Sequence, residues 1–203
     1  MLRSVHCILE ALTSDNIYHA LVNFPMDNFP IPQCILSSNT FTPYFDGCIS
    51  ALDGTHLPVH VPKAGHAAFH NWKGVLSQNI LAICMMDMQF LYVLAGWEGS
   101  ASDSCIFEDA PQKGFTIPKD CYYLANAGYA NCDALLVSYQ GVHYHLREWG
   151  MGNEQYVYLI FPSCAVVGSL LFRPWNYKKL FNFWHVQLRN MIECIFRVMK
   201  RRF

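Results

Sequence analysis

The stretch Cys48-Ile49-Ser50-Ala51-Leu52-Asp53-Gly54-Thr55-His56-Leu57-Pro58-Val59-His60-Val61 decides the fold. Ile49, Ala51, Asp53, Thr55, Leu57, Val59 and Val61 share one parity, which predicts a strand with a carboxylate set in its apolar row. An unpaired carboxylate is costly to bury, so Asp53 calls for a metal, a cation or several N–H donors. The alternative is an aspartate that caps a turn at Asp53-Gly54.

Working outward, residues 79–87 and 90–95 are β-rich runs separated by Met88-Gln89, the pattern of a hairpin with Asp87 near its turn. Residues 96–104 read as a small-residue loop, and 102–110 as a short helix capped by Ser102 or Asp103. Residues 121–125 form an apolar strand that ends at Asn126-Ala127-Gly128-Tyr129, and 142–146 a further strand. Leu188, Met191, Ile192, Ile195, Phe196 and Met199 then fall on one stripe of an amphipathic helix. Glu193 stands off that stripe, with Arg189 and Arg197 four residues to either side. Upstream, 1–22 suggest a helix, and Pro25, Pro30, Pro32 and Pro43 make 23–47 loop-rich. The order predicts an α/β domain over 45–203 with a mixed sheet, preceded by a helical and loop-rich lead-in over 1–44.

The chain has 203 residues, 53% hydrophobic and only 14% charged, which suits one sizeable core and excludes a disordered tail or a charge-rich coiled coil. Its net charge of −1 gives no bulk reason to expect a nucleic acid or a membrane, so such a partner must be argued from local sites. Nine cysteines are scattered from Cys7 to Cys194 without a CxxC pair, and residues 1–12 carry no long apolar run. The expectation is a reduced, intracellular protein whose cysteines act as small core hydrophobes. His56 and His60, and His66 and His70, have a zinc-like separation of four, but the first pair lies on a strand and the second lacks further ligands at suitable spacing.

Residues 45–56, Phe-Asp-Gly-Cys-Ile-Ser-Ala-Leu-Asp-Gly-Thr-His, resemble the first catalytic motif of PIF/Harbinger-type transposases, the DDE superfamily endonucleases. Further matches follow in order: Asn71-Trp72-Lys73-Gly74 with Ser77-Gln78-Asn79, residues 95–104, residues 123–129, Tyr144-His145-Leu146, and a last block from Leu180 through His185, Leu188-Arg189-Asn190 and Glu193 to Phe203. The resemblance implies an RNase H-like mixed sheet with flanking helices, a DDE nuclease core. It further implies DNA as substrate, a nuclear location, and three carboxylates around two divalent cations, Mg²⁺ or Mn²⁺. Those roles map onto Asp53, position 126 and Glu193. Such a cation pair stabilises the attacking water and the leaving oxygen of a phosphodiester.

Departures from the family pattern bear on activity. Asn126 stands where the family has Asp, so the resemblance implies an impaired metal-dependent endonuclease, or an inactive copy that at most binds DNA or protein. Smaller departures are Ser102 for a usual His, Trp184 for a usual basic residue and Arg197 for a usual Gly. Asn126 and Glu193 are 67 positions apart, longer than the family pattern, and the excess coincides with the apolar run 156–172. Three readings of that run stand: a membrane segment that would anchor the protein, a core helix, or a retained fungal-type intron. The last would remove 156–173 in frame and shorten the spacing to 49. Pro162, Ser163, Gly168 and Ser169 weigh against a membrane helix. The first 48 residues show no helix-turn-helix with a basic recognition helix, which counts against an autonomous transposase and leaves room for a separate DNA-binding partner protein.

Overall fold

The computed structural model describes residues 29–142 and 176–202, with isolated positions nearer the N-terminus. A short helix α1 (Gln33–Leu36) leads into β1 (Cys48–Pro58), followed by a 3₁₀ turn and α2 (His66–Phe69). The hairpin β2 (Ser77–Cys84) and β3 (Phe90–Glu98) precedes α3 (Asp103–Asp109), and β4 (Tyr122–Ala125), β5 (Leu135–Val137) and the long helix α4 (Tyr177–Arg202) complete the order. The sheet runs β3-β2-β1-β4-β5. The three strands on the β3 side pair antiparallel, whereas β1–β4 and β4–β5 are parallel. This is the expected α/β, RNase H-like mixed sheet with helices on both faces.

Each face of the sheet buries its own core. On one, Leu188, Met191, Ile192, Ile195 and Phe196 of α4 pack with Ile35, Phe41 and Phe45 onto Ala51, Ala82, Cys84 and Leu124. On the other, Ile106 and Ala110 pack with Phe115 and Tyr129 onto Leu52, Leu81, Ile83, Tyr123 and Leu135. The expected stripe of α4 therefore does face the sheet. Loss of water contact by these side chains, at about 25 cal/mol per Å² of apolar area, holds the layers together.

Several local expectations are corrected. The single-parity row of β1 breaks at its start, because Ile49 packs in the α3-side core while Ala51 packs beneath α4. The cause is an irregularity in the β1–β4 register between Cys48 and Ser50, where one extra residue turns the following side chains over. β3 does not stop at Ala95: a second register shift near Gly96, at φ +110°, lets the strand continue to Glu98. The expected loop over 96–104 thus begins only at Gly99. The hairpin turn is longer than two residues, closed by Met85 N–H donating to Gln89 O at 2.8 Å, with Asp87 Oδ1 accepting from Gln89 N–H. The cap of α3 is Ser102, whose hydroxyl accepts from Cys105 N–H. The strand after β4 is Leu135–Val137, a three-residue run too short to stand out. The strand expected over 142–146 lies, beyond Val142, outside the described residues, as does the run 156–173. Residues 1–22, expected to be helical, lie outside them as well, except for a few isolated positions. Cys48 and Cys84 are core residues as expected, but Cys7, Cys105 and Cys132 are exposed. Burial pushes the Cys84 thiol up to about 12 and Cys48 higher still, so neither is a thiolate near neutral pH.

Candidate functional site: two carboxylates bridged by Arg189

Asp53 lies in β1 two residues past Ala51, and Asn126 lies two residues past Leu124 of β4, the residue paired with Ala51 in the parallel register. The pairing therefore carries both side chains to the same level of the sheet. Asn126 Nδ2 donates to Asp53 Oδ1 at 2.8 Å. The amide orientation follows from its other end, where Asn126 Oδ1 accepts from Gly128 N–H at 2.7 Å. A Cβ on Gly128 would stand 2.9 Å from that oxygen, so a larger residue there would displace the Asn126 amide. Ser104 and Gln140 pin the turn further by donating to Gly128 O and Ala127 O.

The third partner comes from α4. Arg189, only 8% exposed, donates from Nη1 to Asp53 Oδ2 at 2.8 Å and from Nη2 to Glu193 Oε1 one helical turn on. The Asp53 side chain is 14% exposed and that of Glu193 45%, so the bridge runs from a buried acid to a half-exposed one. Burial pushes the Asp53 carboxyl above its ordinary range, and the Arg189 charge and hydrogen bond pull it part of the way back. Gly54 N–H supplies a further donor to Asp53 Oδ1 at 3.0 Å. The need for compensating partners read from the strand is thus met by one cation and two N–H donors, and the turn-cap alternative for Asp53 fails because the residue lies inside β1.

Of the three residues the resemblance groups, Asp53 and Asn126 are in direct hydrogen-bond contact, and Glu193 reaches Asp53 through Arg189. Sequence reasoning missed Arg189 as the group that links them. The signal was present: Asn182, His185, Arg189 and Glu193 follow at spacings of three, four and four, a second face of α4. Asn182 exchanges hydrogen bonds with the Tyr139 backbone, and His185 Nε2 donates to Leu136 O at 2.9 Å. These contacts set the rotation of α4 that brings Arg189 over Asp53.

Asp103 approaches β1 at Gly54, the residue after Asp53, and its charge adds to the upward push on the Asp53 carboxyl. Asp103 accepts from Asn79 Nδ2 at 2.8 Å, and a Cβ on Gly54 would stand 2.1 Å from its Oδ1, so Gly54 lets this carboxylate reach the β1 backbone. His56 engages Ser77 Oγ, His66 engages Val61 O and His70 engages Gly74 O, and the His66 and His70 rings meet edge to face with centroids 6.1 Å apart.

The arrangement is a poor match for two divalent cations. Both Asp53 oxygens already accept hydrogen bonds, and Asn126 turns its NH₂ rather than its oxygen toward the carboxylate. Within the hydrogen-bonded set, two carboxylates and one guanidinium carry a single net negative charge, which favours two dications less than three carboxylates would. Among the described residues, no group of three or more His, Cys, Asp or Glu is placed to hold a metal ion.

Comparison with known proteins accords with the fold. The chain is 26% identical over 132 residues to the Rattus norvegicus protein named "Putative nuclease HARBI1", which covers 64% of this chain and 37% of that protein. The chain thus matches little more than a third of its relative's length. No solved structure gives a significant match. The model of the DDE superfamily endonucleases matches residues 52–203, spanning the strand of Asp53, the turn of Asn126 and the helix of Glu193, and the chain belongs to that family.

Proposed function

We propose that the chain is a transposase-derived, nuclear nuclease domain that binds DNA and whose hydrolysis of phosphodiesters is impaired. DDE superfamily endonucleases generally use divalent metals, which supply charge to the attacking and leaving oxygens. The observation that supports impairment is the hydrogen bond from Asn126 Nδ2 to Asp53 Oδ1, held by Gly128. An aspartate at 126 would set two carboxylates against each other and call for a cation between them, whereas the amide satisfies Asp53 without one. Arg189 acts in the same direction by spreading one positive charge over Asp53 and Glu193. The loss of a single transition-state stabiliser costs about 10²–10³ in rate, and here a ligand is lost and a competing cation is present.

The test is nicking of supercoiled plasmid in Mg²⁺ or Mn²⁺. The chain as written gives no detectable nicking. Asn126→Asp combined with deletion of 156–173 gives metal-dependent nicking that Asp53→Ala abolishes. Robust nicking by the unmodified chain that survives Asp53→Ala overturns both the site and its impairment.

A further inference from the structure

The loop between α2 and β2 displays a tryptophan. Trp72 is 82% exposed, the highest value among the large apolar side chains described. The turn that carries it is firmly built. Asn71 Oδ1 accepts from the N–H groups of Lys73 and Val75, each at 3.0 Å, Gly74 N–H donates to Asn71 O at 2.8 Å, and Asn71 N–H donates to Val75 O. Gly74 takes φ +74°, a conformation open to glycine. Lys73 Nζ stands 4.6 Å from the centroid of the Trp72 ring, so one indole face carries a cation and the other is open.

Lysines stand near the loop, with the Asp53 and Asp103 carboxylates also in electrostatic reach. Burial first, and the Lys73 ammonium second, lower the Lys200 pKa, while Asp53 raises it, so Lys200 of α4 lies in the field of both. Burial lowers the His56 pKa, Asp103 raises it, and Lys200 and Lys73 lower it further. Two ammonium groups that repel each other gain from an anion placed between them. Arg201 and Arg202 extend the exposed basic end of α4. A protein partner would need a broad apolar surface around Trp72, but its nearest sequence neighbours are Asn71 and Lys73, and only Val75 adds exposed apolar area in the loop.

We propose that this loop is a stacking platform for an unpaired nucleobase, with Trp72 holding the base on its open face while Lys73 holds a phosphate of the same strand. The proposal rests on the reading of the chain as a nucleic-acid-binding domain and adds the state of the strand it prefers. Every base has a π-face, so the platform is indifferent to sequence and selective for bases out of the duplex stack.

Fluorescence anisotropy with labelled dT₂₀, rU₂₀ and a 20-base-pair DNA duplex, in EDTA at fixed salt, tests this with the full chain. Trp72→Ala weakens dT₂₀ binding about tenfold or more and leaves duplex affinity within about twofold, while Trp72→Phe retains most of the dT₂₀ affinity. Lys73→Gln weakens all probes and lowers the slope of log K against log salt by about one. Tighter binding of dT₂₀ than rU₂₀ assigns the platform to DNA; equal binding assigns it to any unpaired strand. Trp72→Ala affecting duplex and single strand alike, or neither, overturns the platform and leaves DNA binding standing. Failure of the wild-type chain to bind any probe overturns the nucleic-acid reading itself. Because Trp72 is exposed, a matching thermal midpoint for wild type and Trp72→Ala confirms that folding is not the variable.

Discussion

Two faces of α4 meet the rest of the protein by different physics. Leu188, Met191, Ile192, Ile195 and Phe196 lie against small and branched residues of the sheet, where burial of area counts and direction matters little. Beside them, Asn182, His185 and Arg189 are buried as well, but each reaches defined polar partners: the Tyr139 backbone and Val142 O, Leu136 O, and the Asp53 and Glu193 carboxylates. The apolar face holds the helix on the sheet, and the polar face fixes where along it and at what rotation. The difference predicts that the polar face is the less forgiving.

The largest effect belongs to Arg189→Met. Removing one partner of a buried ion pair leaves Asp53 unpaired, a change that typically costs about 3–5 kcal/mol. Urea unfolding at pH 7 measures it, and adding Asp53→Asn should recover most of the loss because no buried charge is then left over. A loss below about 1 kcal/mol, or no recovery in the double variant, would show that the bridge contributes little.

His185 gives the next effect, through pH. Burial, with a further contribution from Arg189, lowers its pKa to about 4 despite the bond to Leu136 O. The unfolded chain binds the proton near the ordinary value of 6.5, so between those limits the unfolded state carries more protons. The stabilising contribution is therefore full above pH 6.5 and is lost as pH falls toward 4, by roughly 3 kcal/mol. Asp53, with its raised pKa, acts in the opposite sense, because the folded chain takes up that proton first as pH falls. His185→Gln keeps a donor for Leu136 O and cannot titrate. Its stability should fall less than wild type over this window, and parallel curves would refute the assignment.

Removing one methyl from the apolar face is milder. Ile192→Val at a fully buried position should cost about 0.5–1.5 kcal/mol by thermal or urea unfolding, because the layer loses area and can partly close around the gap. A cost matching that of Arg189→Met would erase the contrast between the two faces.

The same contrast explains what could be read from sequence. The apolar stripe of α4, the hairpin and Asp53 within its strand declare themselves by periodicity, because hydrophobic burial repeats with the geometry of the element. Arg189 does not, since a charged residue on a helix reads as solvated until its partner is known, and Asp53 is 136 positions away. The match to family motifs could bring Asp53, Asn126 and Glu193 together, yet it carries no information on which end of the Asn126 amide faces Asp53. That depends on Gly128 N–H in the folded turn. The β1 parity failed at Ile49 for a related reason: the bulge arises from pairing with β4, some 70 residues later, and leaves no local mark.

The smallest effect is expected where the polar face reaches water. Glu193 accepts from Arg189 at i and i+4 spacing, but its side chain is 45% exposed. Such pairs contribute only about 0.3–0.5 kcal/mol, because solvent screens the charges and ordering two long side chains costs entropy. Glu193→Gln keeps an oxygen for Arg189 Nη2 and removes only the charge, while the guanidinium, no longer shared, interacts more strongly with Asp53. These changes oppose each other, so stability at pH 7 should move by less than about 0.5 kcal/mol. The dependence on added salt should weaken along with it, since the screened half of the bridge is the half removed. Urea titrations at low and high salt measure both. A loss near that of Arg189→Met would place Glu193 within the buried network and make the bridge one unit, with no exposed end.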